Sequence, residues 1–167
     1  MPRRRHLLTT VGTAALLAGC GFQLRGAPEL AFHTLFVNGS ETSSLANELR
    51  RNLGSIGQLR LVTTPAERNT AEAVLDLLTD QREKTVVGVN ASGQVREFQL
   101  RVRLRFRLRT PQGRELIPET ELLLQRDISF NESAVLAKEA EEGLMYRDMQ
   151  SDIVQQLIRR LASVKSI

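Results

Sequence analysis

The spacing of apolar positions alternates along the chain between two residues and four, and each change of period marks an element. Thr34–Asn38 (TLFVN) is a short apolar run of the kind that forms a strand. Leu45, Leu49 and Leu53 then recur every fourth residue and make one helical stripe. Thr42, Ser43 or Ser44 is placed to cap it, and Gly54 or Gly57 to end it. Gln58–Thr63 (QLRLVT) alternates again and predicts a strand, and Pro65–Asn69 a loop. From Ala73 onward the pattern is that of three long strands. The turn cluster Asn90-Ala91-Ser92-Gly93 separates the first from the second, and Thr110-Pro111-Gln112-Gly113 the second from the third. Pro118 places the third strand at an edge or a bulge. Asn131 or Ser133 then caps a long helix running to about Val164. Its stripe is Leu144, Met145, Met149, Ile153, Val154, Leu157, Ile158 and Leu161. The expected fold is α+β: a four- to five-stranded, mostly antiparallel sheet with two helices packed on one face.

The middle long strand has an unusual composition. Leu100–Arg109 reads LRVRLRFRLR, so Leu100, Val102, Leu104, Phe106 and Leu108 line one face and Arg101, Arg103, Arg105, Arg107 and Arg109 the other. A three-residue loop at Pro111-Gln112-Gly113, with Gly113 in the left-handed region, sets a register against the third strand. In that register Thr110 faces Arg114, Leu108 faces Leu116, Val102 faces Leu122 and Leu100 faces Leu124. Arg105 then lies opposite Glu119, and Arg103 opposite Glu121. A two-residue turn loses both the apolar and the charge match. Arg101, Arg107 and Arg109 are left without an evident acidic partner. The ladder has two readings: the balanced polar face of a half-buried sheet, or a surface that meets an anionic ligand.

The N-terminus changes the charge picture. Arg3-Arg4-Arg5, the apolar stretch Leu7–Ala18 and the small residues before Cys20 form an export signal, too short for the ~20 residues of a spanning helix. The basic n-region suits Sec export, with twin-arginine export as the alternative. The chain divides into a signal over 1–19, a tether over 20–33 and one domain over 34–167. Of 23 Lys+Arg and 19 Asp+Glu, the signal holds three Arg and no acid, which leaves 20 bases against 19 acids in the mature chain. A nearly neutral domain with one aromatic in its arginine ladder is a poor nucleic-acid binder, since that affinity comes from neutralising many phosphates and stacking bases.

Candidate chemistry is sparse. Cys20 is the only cysteine and His33 the only histidine after the signal, so sites built from several Cys or His are excluded by count. No phosphate-binding loop, nucleophile elbow or zinc-protease motif is present. Glu139, Glu141 and Glu142 read as a solvated helix face. The chain is not expected to be an enzyme or to hold a metal or a dissociable cofactor.

Leu17-Ala18-Gly19-Cys20 resembles the lipobox of bacterial lipoproteins. The resemblance implies cleavage before Cys20, an S-diacylglycerol on its sulfur and an N-acyl chain, such as palmitoyl, on the new amino terminus. Gly21, in place of an aspartate, favours the outer membrane. Further on, Cys20-Gly21-Phe22-Gln23-Leu24-Arg25-Gly26, Gly93-Gln94 followed by Glu97-Phe98-Gln99-Leu100, Leu136-Ala137-Lys138, and Gln156-Leu157-Ile158-Arg159-Arg160-Leu161 resemble, in order, the lipopolysaccharide-assembly lipoproteins. That family implies a plug seated in the lumen of a large outer-membrane β-barrel, the LptD-like lipopolysaccharide translocon. Such a plug helps the barrel assemble and assists insertion of lipopolysaccharide at the cell surface. The family's lysine contact to lipopolysaccharide maps to Lys138. Its other basic contact sits at the tip of the first long hairpin, where this chain has Asn90-Ala91-Ser92-Gly93-Gln94; Arg96 is the nearest base. Together with Arg101, Arg107 and Arg109 these are the candidate lipopolysaccharide contacts. The alternative is a stand-alone envelope lipoprotein that carries an anionic lipid without a barrel.

Overall fold

A computed structural model describes residues 28–167. The signal, Cys20 and most of the tether lie outside the described residues. In chain order the elements are β1 (Thr34–Asn38), α1 (Ser44–Gly54), β2 (Arg60–Val62), a 3-10 turn (Pro65–Thr70), β3 (Ala73–Val89), β4 (Val95–Arg109), β5 (Glu115–Ser129), a second 3-10 turn (Glu132–Ala134) and α2 (Val135–Ala162). The five strands lie side by side in the order β2-β1-β3-β4-β5. The three long strands are antiparallel, as their tight turns require. β1 is parallel to both β2 and β3, because α1 carries the chain back before β2 begins.

Both helices pack on one face of the sheet. Leu45, Leu49 and Leu53 of α1 and Met149, Ile153, Leu157 and Leu161 of α2 share one core with Leu35, Leu75 and the apolar side of β4. Ser43 caps α1 by accepting from Ala46 N at 2.9 Å. Phe32, in the stretch assigned to the tether, is also buried in this core. Leu144 is not: it is 53% exposed. It lies about 100° around the helix from Met145, off the stripe that faces the sheet. Pro65–Thr70 is a 3-10 turn instead of an open loop. Asn131 caps the short 3-10 turn through Ser133 N, and α2 itself begins at Val135, after Ala134, and ends at Ala162.

The register between β4 and β5 departs from the expected one. The turn forms as foreseen: Thr110 N donates to Arg114 O at 2.8 Å, Gly113 has φ +99°, and Arg109 faces Glu115. Leu108 then faces Ile117 and Phe106 faces Thr120, so β5 slips by one residue twice. Pro118, with no N–H to give the ladder, lies in the slipped stretch, where a bulge removes the need for one. Val102 consequently faces Leu124 instead of Leu122, Leu100 faces Arg126, and Arg105 faces Glu121. Two slips add to an even shift, which keeps every side chain on its intended side of the sheet. Phe106 and Leu104 remain fully buried under the helices.

Gly113→Ala is expected to cost about 1–2 kcal/mol, because a Cβ there opposes the left-handed backbone although space is open around it. Urea denaturation measures it, and an unchanged midpoint would show that the turn does not hold this register.

Candidate functional site: an arginine ladder on the open sheet face

The face of the sheet away from the helices carries the five arginines of β4 between acids from both neighbouring strands. β3 supplies Asp76 and Glu83, and β5 supplies Glu119 and Glu121. Arg103 Nη1 donates to Glu121 Oε2 at 2.9 Å and its Nε lies 3.8 Å from Glu83. Arg105 lies 3.3 Å from Glu119. Both expected ion pairs therefore exist, but as diagonal contacts across the slipped register instead of directly opposed ones. Arg101 donates to Gln99 Oε1 at 2.8 Å and stands 4.0 Å from Glu83. These partly exposed pairs are worth at most about 1 kcal/mol each.

Asp76 differs from the other acids. It is 3% exposed, and Oδ2 accepts from Arg109 Nε at 2.8 Å and from Arg107 Nε at 3.0 Å, while Oδ1 accepts from Asn38 Nδ2 at 2.8 Å. Burial pushes its carboxyl up, but hydrogen bonds from Arg109, Asn38 and Arg107 and the Arg109 charge outweigh that and hold it below the ordinary 3.8. Arg107 and Arg109 are thus clamped on a buried carboxylate. The expectation that Arg101, Arg107 and Arg109 lack acidic partners is corrected, since their partners come from β3, on the other side of β4 from the strand used to set the register. Asp76 was visible in sequence only as a lone acid within the apolar run Ala73–Leu78.

The candidate contacts do not form one site. Arg107 and Arg109 sit near the β4–β5 turn, and Arg96 at the opposite end of β4, roughly 40 Å away along the strand. By alternation Arg96 falls on the helix side of the sheet, with Phe98 and Leu100, whereas Arg101, Arg107 and Arg109 fall on the open side. Lys138 joins Arg96 at the far end: its Nζ lies 2.8 Å from Glu141 and 3.1 Å from Ser129 Oγ, and Phe130 N donates to Arg96 O at 2.7 Å. Arg96 is exposed and forms no ion pair among the described residues.

Lys138 borders a cleft floored by Phe98, Ile128 and Phe130, the two rings meeting edge to face at 5.3 Å. Lys84 lies 4.2 Å over the Phe98 ring and 2.6 Å from Glu142. Lys84 is a cleft residue that the sequence did not single out; its helix-side position follows from strand parity. The exposed Leu136, Val86 and Val87 lie on the elements that meet here. No helix among the described residues is long and apolar enough to cross a membrane.

Comparison with known proteins places this arrangement. A family model described as LptE, lipopolysaccharide-assembly, matches residues 32–161. The LPS-assembly lipoprotein LptE of Pectobacterium atrosepticum is 27% identical over 165 residues, spanning 96% of this chain and 88% of the relative. That of Yersinia enterocolitica is 28% identical over 167 residues, spanning 97% and 78%. Among solved structures, lipoprotein B from Nitrosomonas europaea superimposes with a TM-score of 0.72 at 34% identity, covering 86% of this chain and 91% of its own. The rare lipoprotein B from Shewanella oneidensis gives 0.65 at 24% identity, over 78% and 95%, and supports the fold alone.

Proposed function

The chain belongs to the LptE lipopolysaccharide-assembly family, and from that premise we propose that it is an outer-membrane lipoprotein, acylated on Cys20, that plugs and helps assemble the β-barrel of the lipopolysaccharide translocon. The observation that carries the plug reading is the open face of the sheet. Five arginines and four carboxylates interlock there into a polar surface with almost no net charge, left uncovered by either helix. A water-filled barrel lumen is polar, and such a face suits it better than it suits hydrocarbon. The same near-balance argues against the ladder as the main anion receptor.

Direction along the molecule follows from the topology. β1 starts beside the start of β3, so the tether enters at the end that holds the β4–β5 turn. β3 runs 17 residues away from that end, roughly 50 Å. The β3–β4 hairpin tip, Arg96 and Lys138 therefore lie at the end of the sheet opposite to the one where the described part of the tether joins it. In this reading the anchored end stays at the periplasm-facing leaflet and the Lys138 end reaches into the barrel, where it meets lipopolysaccharide. The role is assembly and positioning, with no bond made or broken by the chain.

Arg96 and Lys138 are the bases this reading assigns to lipopolysaccharide. Replacing both by Gln is expected to weaken binding of lipopolysaccharide micelles about tenfold, since charge-assisted bonds to phosphate are lost. Barrel association and thermal stability should stay unchanged. Binding undiminished in the double variant would remove these two residues from the ligand site.

A further inference from the structure

We propose that the hollow between α1, α2 and β3 is a separate anion site that takes a phosphate group, presented on a phosphorylated saccharide or lipid headgroup or as the free ion. It lies on the helix side of the sheet, and its cations come from three different elements: Arg51 from α1, Arg82 from β3 and Arg147 from α2. Arg147 is nine residues from Lys138 along α2, about 14 Å, so the hollow is distinct from the cleft at the far end.

The hollow is built around a fixed centre. Gln150 is 7% exposed, and its Oε1 accepts from Ser44 Oγ at 2.8 Å and from Arg82 Nη2. Arg82 Nη2 also donates to Ser44 Oγ at 3.1 Å, and the guanidinium carbon lies 5.5 Å from the centre of the Tyr146 ring. Tyr146 is itself pinned by its hydroxyl, which donates to Glu83 O at 2.7 Å. Arg82, although exposed, is therefore fixed at the wall by its bonds to Gln150 and Ser44.

Two carboxylates border the hollow, and each has one contact of its own. Glu48 accepts from Gln150 Nε2, and Asp148 stands 4.0 Å from Arg126, which also holds Asp152 at 3.0 Å. Arg51 and Arg147, in contrast, make no ion pair or side-chain hydrogen bond among the described residues. The hollow thus has unpaired guanidinium donors on two walls and a positioned one on the third, three cations against the two carboxylates Glu48 and Asp148. It is the pair of guanidiniums without any partner among the described residues, not a large charge excess, that sets it apart from the β4 ladder. A carboxylate ligand has two oxygens to offer, whereas a phosphate has three or four and can engage several guanidiniums at once, bidentately.

The test uses the mature full-length lipoprotein in nonionic detergent at low salt, followed through the Nε–H signals of its arginines. Inorganic phosphate is expected to shift Arg51, Arg82 and Arg147 together and saturably, leaving the β4 ladder still. Arg51→Gln with Arg147→Gln changes two exposed side chains and should leave thermal unfolding unchanged while weakening the effect about tenfold. Comparing inorganic phosphate with glucose 1-phosphate and with micelles of lipid A, intact or dephosphorylated, identifies the source. Tighter binding of a phosphorylated form that vanishes in the double variant assigns the site to a headgroup, and equal binding of all phosphates assigns it to the free ion. Uniform, unsaturable shifts across all arginines would overturn the proposal. So would loss of barrel association in the double variant with phosphate binding retained, which would assign these arginines to a protein contact. Failure of the wild-type chain to associate with a barrel would count against the plug reading alone.

Discussion

Replacing Asp76 by alanine is expected to destabilise the fold by about 2 kcal/mol, because it takes the shared acceptor away from two part-exposed guanidiniums and a part-buried amide. The carboxylate is 3% exposed and accepts from Arg107, Arg109 and Asn38. Without it two guanidiniums are left side by side on β4 with no counter-charge, and Asn38 at the end of β1 loses its cross-strand partner. Asp76→Asn keeps the shape and one acceptor and should cost less. The pH dependence follows from the lowered carboxyl pKa. A group whose pKa is depressed by folding contributes stability above its unfolded value, about 3.9, and loses it as pH falls through the folded value. The gap between wild type and Asp76→Asn in urea denaturation should therefore be constant from neutral pH down to about pH 5 and narrow below pH 4. A gap that is the same at pH 3 and pH 7 would show that the charge of Asp76 is not what the arginines hold.

Cys20→Ala is expected to release the chain from the membrane or to leave it as uncleaved precursor. Each buried acyl methylene contributes about 0.8 kcal/mol, and two lipid signals already suffice for stable anchoring, so three chains hold a protein of this size permanently. No described helix offers a substitute span. Fractionation should show the wild-type chain in outer membranes and the variant absent from them, and mass spectrometry should find the added lipid on Cys20. An unmodified Cys20 on mature wild-type protein would refute acylation.

Much of the fold was legible because its signals are local. Gly113 marks its turn, the leucines of α1 mark their stripe, and the alternation in β4 marks which side is buried. What escaped were non-local consequences. The register slip near Pro118 depends on how a strand without that N–H pairs, which the turn residues alone do not encode. The pairing of Arg107 and Arg109 depends on β3, whose phase relative to β4 passes through irregularities near Leu78 and Gly88. The charge balance of β4 is set by both of its neighbours, and only the β5 side follows from a local turn. Leu144 shows the limit of counting apolar residues on a helix: spacing alone admits it to the stripe, but the sheet covers only the side that holds Met149 and Ile153. Of the candidate contacts, Lys138 and Arg96 share one end of the molecule. Arg107 and Arg109 are tied up in a structural clamp.

The central claim is that this chain works inside a β-barrel, and purification of the native, lipid-anchored protein from outer membranes in mild detergent tests it most directly. The account predicts one large β-barrel protein in stoichiometric amount, retained at high salt, with the open arginine face protected from arginine-modifying reagents in the complex and reactive after the barrel is unfolded. A lipoprotein recovered alone, with Arg103 and Arg105 equally reactive in membranes and in isolation, would contradict it.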